Sequence, residues 1–151
     1  MDNFDKHILS LLQKDASLSL AEISEKVGLS QTPCWRRIQQ LEKSGVIRKK
    51  VALLDSEKLD VGLTVFVNLK TNQHNPDWLN SVKEFTQNAV EVTEFYRMSG
   101  DTDYLMKVLV HDMKAYDEFY QRLISQAGFS DVSSSFAMEQ IKYSTEIPLG
   151  S

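Results

Sequence analysis

Hydrophobic positions keep one period in the first part of this chain and mix two in the rest. In the first third they recur three and four residues apart, and from Leu63 onward alternating runs take turns with helical spacing. Residues 3–15 carry Phe4, Ile8, Leu11 and Leu12 on one side, which predicts a helix capped by Asp2 or Asn3. Asp15 to Leu18 breaks it. Ser19 followed by Glu22 has the spacing of a capping box, and opens a short helix bearing Leu20, Ile23 and Val27. Gly28 ends that helix, because a residue free to take positive φ closes the last turn without strain. Ser30 stands at the N-cap of a third helix, where its hydroxyl can accept an orphan N–H. Pro33 falls in the first turn, and Cys34, Ile38 and Leu41 recur on an inward face.

The second half reads as strands and helices in turn. Leu63 to Lys70 alternates Leu63, Val65, Val67 and Leu69 on one face, the pattern of a half-buried strand. Asn75-Pro76 opens a helix with Trp78, Val82 and Phe85 on one side. Val90 to Met98 is a second strand whose alternation slips near Glu94-Phe95, so a bulge is expected. Ser99-Gly100-Asp101 turns the chain into a third strand, Asp103 to Val110. Residues 113–126 form a helix that turns Tyr116, Phe119, Tyr120 and Leu123 inward, and Val132 to Tyr143 makes the fourth strand. The order βαββαβ predicts an α+β, ferredoxin-like sandwich: two helices over one antiparallel sheet. Such a sheet leaves an open face and edges, so a dimer through this half is expected. The polar run Asp55 to Gly62 separates the halves. The expected division is a helical domain over 1–50, a wing strand and linker over 51–62, and the sandwich over 63–149.

Composition changes this picture mainly through the placement of charge. With 42% hydrophobic residues among 151 the chain can build a packed core, and the lone Cys34 excludes an internal disulfide. Cys34 lies on an apolar helix face, which fits a reduced thiol in a cytoplasmic protein. There is no membrane-length apolar run and no signal peptide after Met1. The net charge of −4 argues by itself against a nucleic-acid binder. Residues 31–50, however, hold Arg36, Arg37, Lys43, Arg48, Lys49 and Lys50 against Glu42 alone. A cationic segment on an otherwise acidic chain is the footprint of a phosphate-facing surface.

That segment coincides with the third helix. Its outward side carries Gln31, Thr32, Trp35, Arg36, Gln39, Gln40 and Lys43. Helix, glycine turn, then a polar and basic helix is the form of a helix-turn-helix reader of duplex DNA. Arg36 can grip a guanine edge bidentately. Gln31, Thr32 and Gln39 can reach base edges or phosphates, and Ser30 with the helix N-terminus can hold a phosphate. Arg37, nearer the buried side, goes to phosphate or to an internal ion pair. Trp35 lies against the sugar-phosphate backbone or packs on its helix neighbours, and Lys49 and Lys50 touch phosphates from the wing.

The chain resembles the Lrp/AsnC, or feast/famine, family of regulators over nearly its whole length. The motifs that carry the resemblance are D-x-x-D-x-x-I-L (Asp2, Asp5, Ile8, Leu9) and V-G-L-S-Q-T-P-C-W-R-R-I-Q-Q-L-E-K-S-G-V-I. With them stand V-A-L-L-D-S-E-K-L, the loop M-S-G-D-T-D-Y, and S-S-S-F-A-M-E-Q-I-K-Y-S-T. A helix-turn-helix alone is a weak signal, but followed by βαββαβ and a G-D-x-D-Y loop it is specific. The resemblance implies an N-terminal winged helix-turn-helix and a C-terminal domain that dimerises and binds an amino acid such as leucine or methionine. It also implies dimers that assemble further, often to octamers.

A free amino acid presents an ammonium and a carboxylate. Under this resemblance Asp101 and Asp103 answer the first, and backbone N–H groups at Gly100 the second. Met98 and Tyr104 flank an apolar side chain, and Ser133, Ser134 and Ser135 complete the site across a subunit contact. Without the resemblance, G-D-x-D reads as an ordinary turn between strands.

Two other classes compete. A small ferredoxin-like dimeric enzyme would need a catalytic constellation. His7, His74 and His111 fall on different elements, and there is no C-x-x-C, H-E-x-x-H, G-x-G-x-x-G or P-loop, so neither an enzyme nor a metal or other cofactor is expected. An amino-acid sensor without DNA binding would not need Arg48-Lys49-Lys50 beside a reading helix.

Overall fold

The computed structural model describes residues 1–126 and 128–150. The elements follow in the order α1 (Asn3–Lys14), α2 (Leu20–Val27), α3 (Gln31–Lys43), β1 (Leu63–Thr71), α4 (Pro76–Asn88), β2 (Val92–Arg97), β3 (Tyr104–Val110), α5 (Met113–Ile124) and β4 (Phe129–Phe136). The chain forms two compact units. One is Met1–Leu53 with the segment from Ile141 onward, the other Leu54–Gln140. Among the described residues no helix is long and apolar enough to cross a membrane.

The first unit closes around Ile8, Leu9, Leu12, Ile23, Val27, Cys34, Ile38 and Leu41. Its helix ends are fixed by capping. Asp2 accepts from the Asp5 N–H while Asp5 accepts from the Asp2 N–H, so the reciprocal box stands at α1. At α2 Ser19 accepts from the Glu22 N–H at 3.1 Å. Gly28 takes φ +76° at the end of α2, which lets the Leu29 N–H reach back to the Ser24 carbonyl at 3.0 Å. Ser30 occupies the N-cap of α3 but makes no side-chain capping bond there, contrary to the expected role of its hydroxyl.

The second unit is a four-stranded antiparallel sheet in the order β2-β3-β1-β4 with α4 and α5, the ferredoxin-like arrangement. Period-two alternation sends Val65, Val67, Leu69, Met106, Val108 and Val110 to the helix side, where Tyr116, Phe119 and Leu123 of α5 meet them. The other face carries Thr64, Phe66 and Asn68 of β1, Lys107 of β3, Ser133 and Ser135 of β4 and Tyr96 of β2. The slip in β2 is present, one residue or two earlier than expected, between Val92 and Glu94.

Two expectations are corrected. No strand forms over 46–62. Residues Val51, Leu53 and Leu54 are exposed and unladdered, so the wing strand is absent among the described residues. Within this single chain no other strand borders that segment to supply partners for its backbone groups. The fourth strand ends at Phe136 and not at Tyr143, because its partner β1 begins at Leu63. The Ala137 N–H to the Thr64 carbonyl is the last bond the ladder can make.

Candidate DNA-reading face and effector loop

α3 buries Cys34, Ile38 and Leu41 and turns the opposite side outward. Gln31, Thr32, Trp35, Arg36, Gln39, Gln40 and Lys43 are all exposed. Trp35 is 51% exposed, so packing does not account for its ring. An indole held that far in solvent has an apolar face and one N–H donor to offer a partner. Burial pushes the Cys34 thiol up, which keeps it protonated and inert in the core.

The two adjacent arginines have separate roles. Arg36 is exposed, on the outward side of α3. Arg37 donates from Nη1 to Asp2 at 2.8 and 2.7 Å and to Asp5 at 3.0 Å, and its guanidinium lies 5.2 Å from the Phe4 ring centre. Of the two roles open to Arg37 in the sequence, the internal ion pair is the one formed within the chain. The capping-box N–H of Asp5, and then Arg37, hold the Asp2 carboxyl below its ordinary value; Asp2 and Asp5 in turn raise Arg37. This cluster joins the first turn of α1 to the middle of α3 and so fixes how α3 is presented.

Below α3, Lys49 is exposed, and Lys50 pairs with Glu42 at 3.3 Å. Both partners are well exposed, so solvent screens the pair and a phosphate can replace the carboxylate at little cost.

The loop between β2 and β3 is less simple. Gly100 takes φ +98°, a backbone state that favours glycine, and a Cβ there would meet nothing within 4 Å. Glycine is therefore required by the turn and not by close approach of a neighbour. Met98 and Asp101 are exposed, and the Asp101 carboxylate has no partner among the described residues.

Asp103 is different. Its carboxylate accepts the Thr71 N–H at 2.9 Å, and its backbone bonds Leu69 and Met98. It is fastened to the end of β1, whereas Asp101 is exposed. Tyr104 also belongs to the fold, with its ring 5.7 Å from Trp78 and 5.5 Å from Phe95. Of the serines, Ser133 and Ser135 lie on the open sheet face. Ser134 faces the helices and shares a hydrogen bond with the Tyr116 hydroxyl. Within one chain the eight residues expected at the effector site do not share a cavity, and the site was expected to be completed across a subunit contact. Missed in the sequence was Asn68, whose side chain receives the Thr102 hydroxyl at 3.3 Å beside Ser133 on the open face. Its outward place in the alternation of β1 was the available signal.

Comparison with known proteins agrees with both halves. Residues 1–48 match a winged helix-turn-helix DNA-binding model, and residues 64–147 match the Lrp/AsnC ligand binding domain. The DNA-binding transcriptional activator DecR of Escherichia coli is 51% identical over 150 residues, covering 99% of both chains. The crystal structure of an AsnC family transcriptional regulator from Agrobacterium tumefaciens superposes with TM-score 0.95 at 55% identity, over 99% of this chain and 97% of that one. A transcriptional regulator from Neisseria meningitidis, solved as a complex with L-Met, follows at TM-score 0.94 and 35% identity, with the same coverage. A DNA-binding helix-turn-helix ahead of a ligand-binding sandwich, in a chain aligned nearly end to end with such regulators, places this protein in the Lrp/AsnC family of DNA-binding transcriptional regulators.

Proposed function

We propose that this regulator reads its operator through the exposed side of α3 and answers to a free amino acid of the leucine or methionine class. The observation that carries the reading is the contrast between neighbouring arginines: Arg36 faces solvent, while Arg37 is engaged by Asp2 and Asp5. Arg36 grips a guanine, Gln31, Thr32 and Gln39 meet base edges or phosphates, and Trp35 lies on the sugar-phosphate backbone. Ser30 with the helix N-terminus, Lys49 and Lys50 hold phosphates. Two such helices, brought together by a dimer, fit a roughly palindromic site.

The dimer forms through the open sheet face, where Phe66 is 36% and Tyr96 49% exposed. Two edge strands, β2 and β4, and a half-apolar face left in water favour a second copy, and higher assembly to an octamer extends the same logic. The effector binds at the β2–β3 loop. Asp101 receives the ammonium, backbone N–H groups at Gly100 receive the carboxylate, and Met98 flanks the side chain. Ser133 and Ser135 of a neighbouring subunit close the site. The L-Met complex of the Neisseria relative supports an amino acid of this class. The protein works as a regulator and not as an enzyme, in the cytoplasm where its DNA lies.

The test is calorimetric titration of leucine, methionine and a polar amino acid into the wild-type protein and Asp101→Ala. Heat from one of the apolar amino acids, abolished in the variant, supports the site. Equal heats from both proteins remove the loop from it.

A further inference from the structure

The chain leaves the helical unit at Leu53 and rejoins it at Ile141. Its return is anchored at one point by a two-way clasp. The Gln13 side chain donates from Nε2 to the Ile147 carbonyl at 3.1 Å and accepts the Ile147 N–H at its Oε1 at 2.8 Å. One amide thereby satisfies both backbone groups of a single residue, as a neighbouring strand would. Two residues on, Leu149 packs against the helical core of Ile8, Leu9, Leu12 and their partners. Ser144 braces the approach by accepting the Glu146 N–H at 3.1 Å, and Pro148 has a fixed φ between the two anchors. Ile147 itself stays 67% exposed, so the seat recognises its backbone and not its side chain.

We propose that α1 carries a docking seat for the chain's own C-terminal segment, Ser144–Leu149, and that this strap makes β4 a second covalent route into the DNA-reading unit. The linker after α3 is the first route. The strap continues from the strand that bears Ser133 and Ser135, so a ligand that alters β4 acts on α1 through main chain alone. α1 in turn holds α3 through Asp2, Asp5 and Arg37. The regulatory part rests on the proposed effector site; the seat itself does not.

Two variants of the full chain test it: Gln13→Leu, which removes both hydrogen bonds and keeps bulk, and a stop after Tyr143. Hydrogen exchange without DNA or ligand reads the seat. The expected result is a protected Ile147 amide in wild type, exchanging about tenfold faster in Gln13→Leu, with α1 loosened in the truncation. Band shifts with and without methionine or leucine read the coupling. Both variants keep DNA binding, lose about fivefold or more of the effector-induced change, and do not add when combined. An Ile147 amide unprotected in wild type overturns the seat, as does protection unchanged by Gln13→Leu. An undiminished effector response in both variants overturns the second route. If wild type binds no amino acid, the effector reading fails, and exchange at Ile147 still judges the seat. A tail that cross-links only to a second copy's α1 overturns docking within one chain.

Discussion

The helical unit and the sandwich use their polar residues in opposite ways. In the helical unit the core residues Cys34, Ile38 and Leu41 lie on one side of α3, and the side chains proposed for recognition lie on the other. In the sandwich, the fold and the proposed recognition draw on the same short loop. Asp101 and Asp103 are two residues apart, yet one is exposed and the other holds the end of β1. A helix separates its duties by angle, so one residue's neighbour in sequence faces elsewhere. A turn has no such division, and its carboxylates are claimed by whatever backbone N–H lies nearest.

The largest effect that sharpens this comparison is on stability. Phe119 is fully buried in the sandwich and Ile8 fully buried in the helical unit. Phe119→Ala removes about 3–5 kcal/mol and Ile8→Ala about 2–5 kcal/mol, each from its own core. Hydrogen exchange resolved by segment shows whether protection falls in α5 and β3 for the first and in α1 to α3 for the second.

Next comes the loop. Asp103→Ala leaves the partly buried Thr71 N–H without its partner and costs about 1–3 kcal/mol, measured by urea denaturation. Asp101→Ala changes stability by no more than about 0.5 kcal/mol. Equal costs for both erase the distinction drawn between them.

Smaller effects follow pH, with opposite signs in the two units. Asp2 is lowered in the folded state, so its contribution is present above its ordinary value and fades as pH falls through the folded one. The first turn of α1 therefore loosens in acid, and Arg37→Ala weakens that dependence without abolishing it, because the Asp5 N–H remains the larger cause. His111 is raised by its hydrogen bond to the Asp60 carbonyl at 2.5 Å, then by the charges of Asp60 and Asp112. Its contribution is full below the ordinary histidine value and is lost as pH rises through the folded one, so the turn around Asp60 loosens in base. Amide chemical shifts followed from acid to mild base distinguish the two trends.

What could be read in the sequence follows the same divide. The three helices, the caps of α1 and α2 and the outward side of α3 were legible because helical period and capping chemistry are local. So was the βαββαβ order, from alternation and turn residues. The end of β4 was not legible: Ile141 and Tyr143 look strand-like, but a strand's length is set by its partner, and β1 begins too late to pair with them. Exposed Val51, Leu53 and Leu54 misled in the same way. The partners of Arg37, Asp103 and Ser134 lie 32 or more, 32 and 18 residues away, distances over which no local pattern speaks. Gln13 and Ile147, 134 residues apart, gave no signal at all.

If α3 reads DNA with Arg36 while Arg37 holds the helix in place, the two arginines must answer differently to substitution. Titration of an operator duplex against wild type, Arg36→Ala and Arg37→Ala, at several salt concentrations, tests it most directly. Arg36→Ala should lose about 1–3 kcal/mol of specific affinity with its helical content intact, and Arg37→Ala clearly less, with a salt slope equal to wild type. Unchanged affinity in Arg36→Ala, or an equal loss and a shallower slope in a fully folded Arg37→Ala, would contradict it.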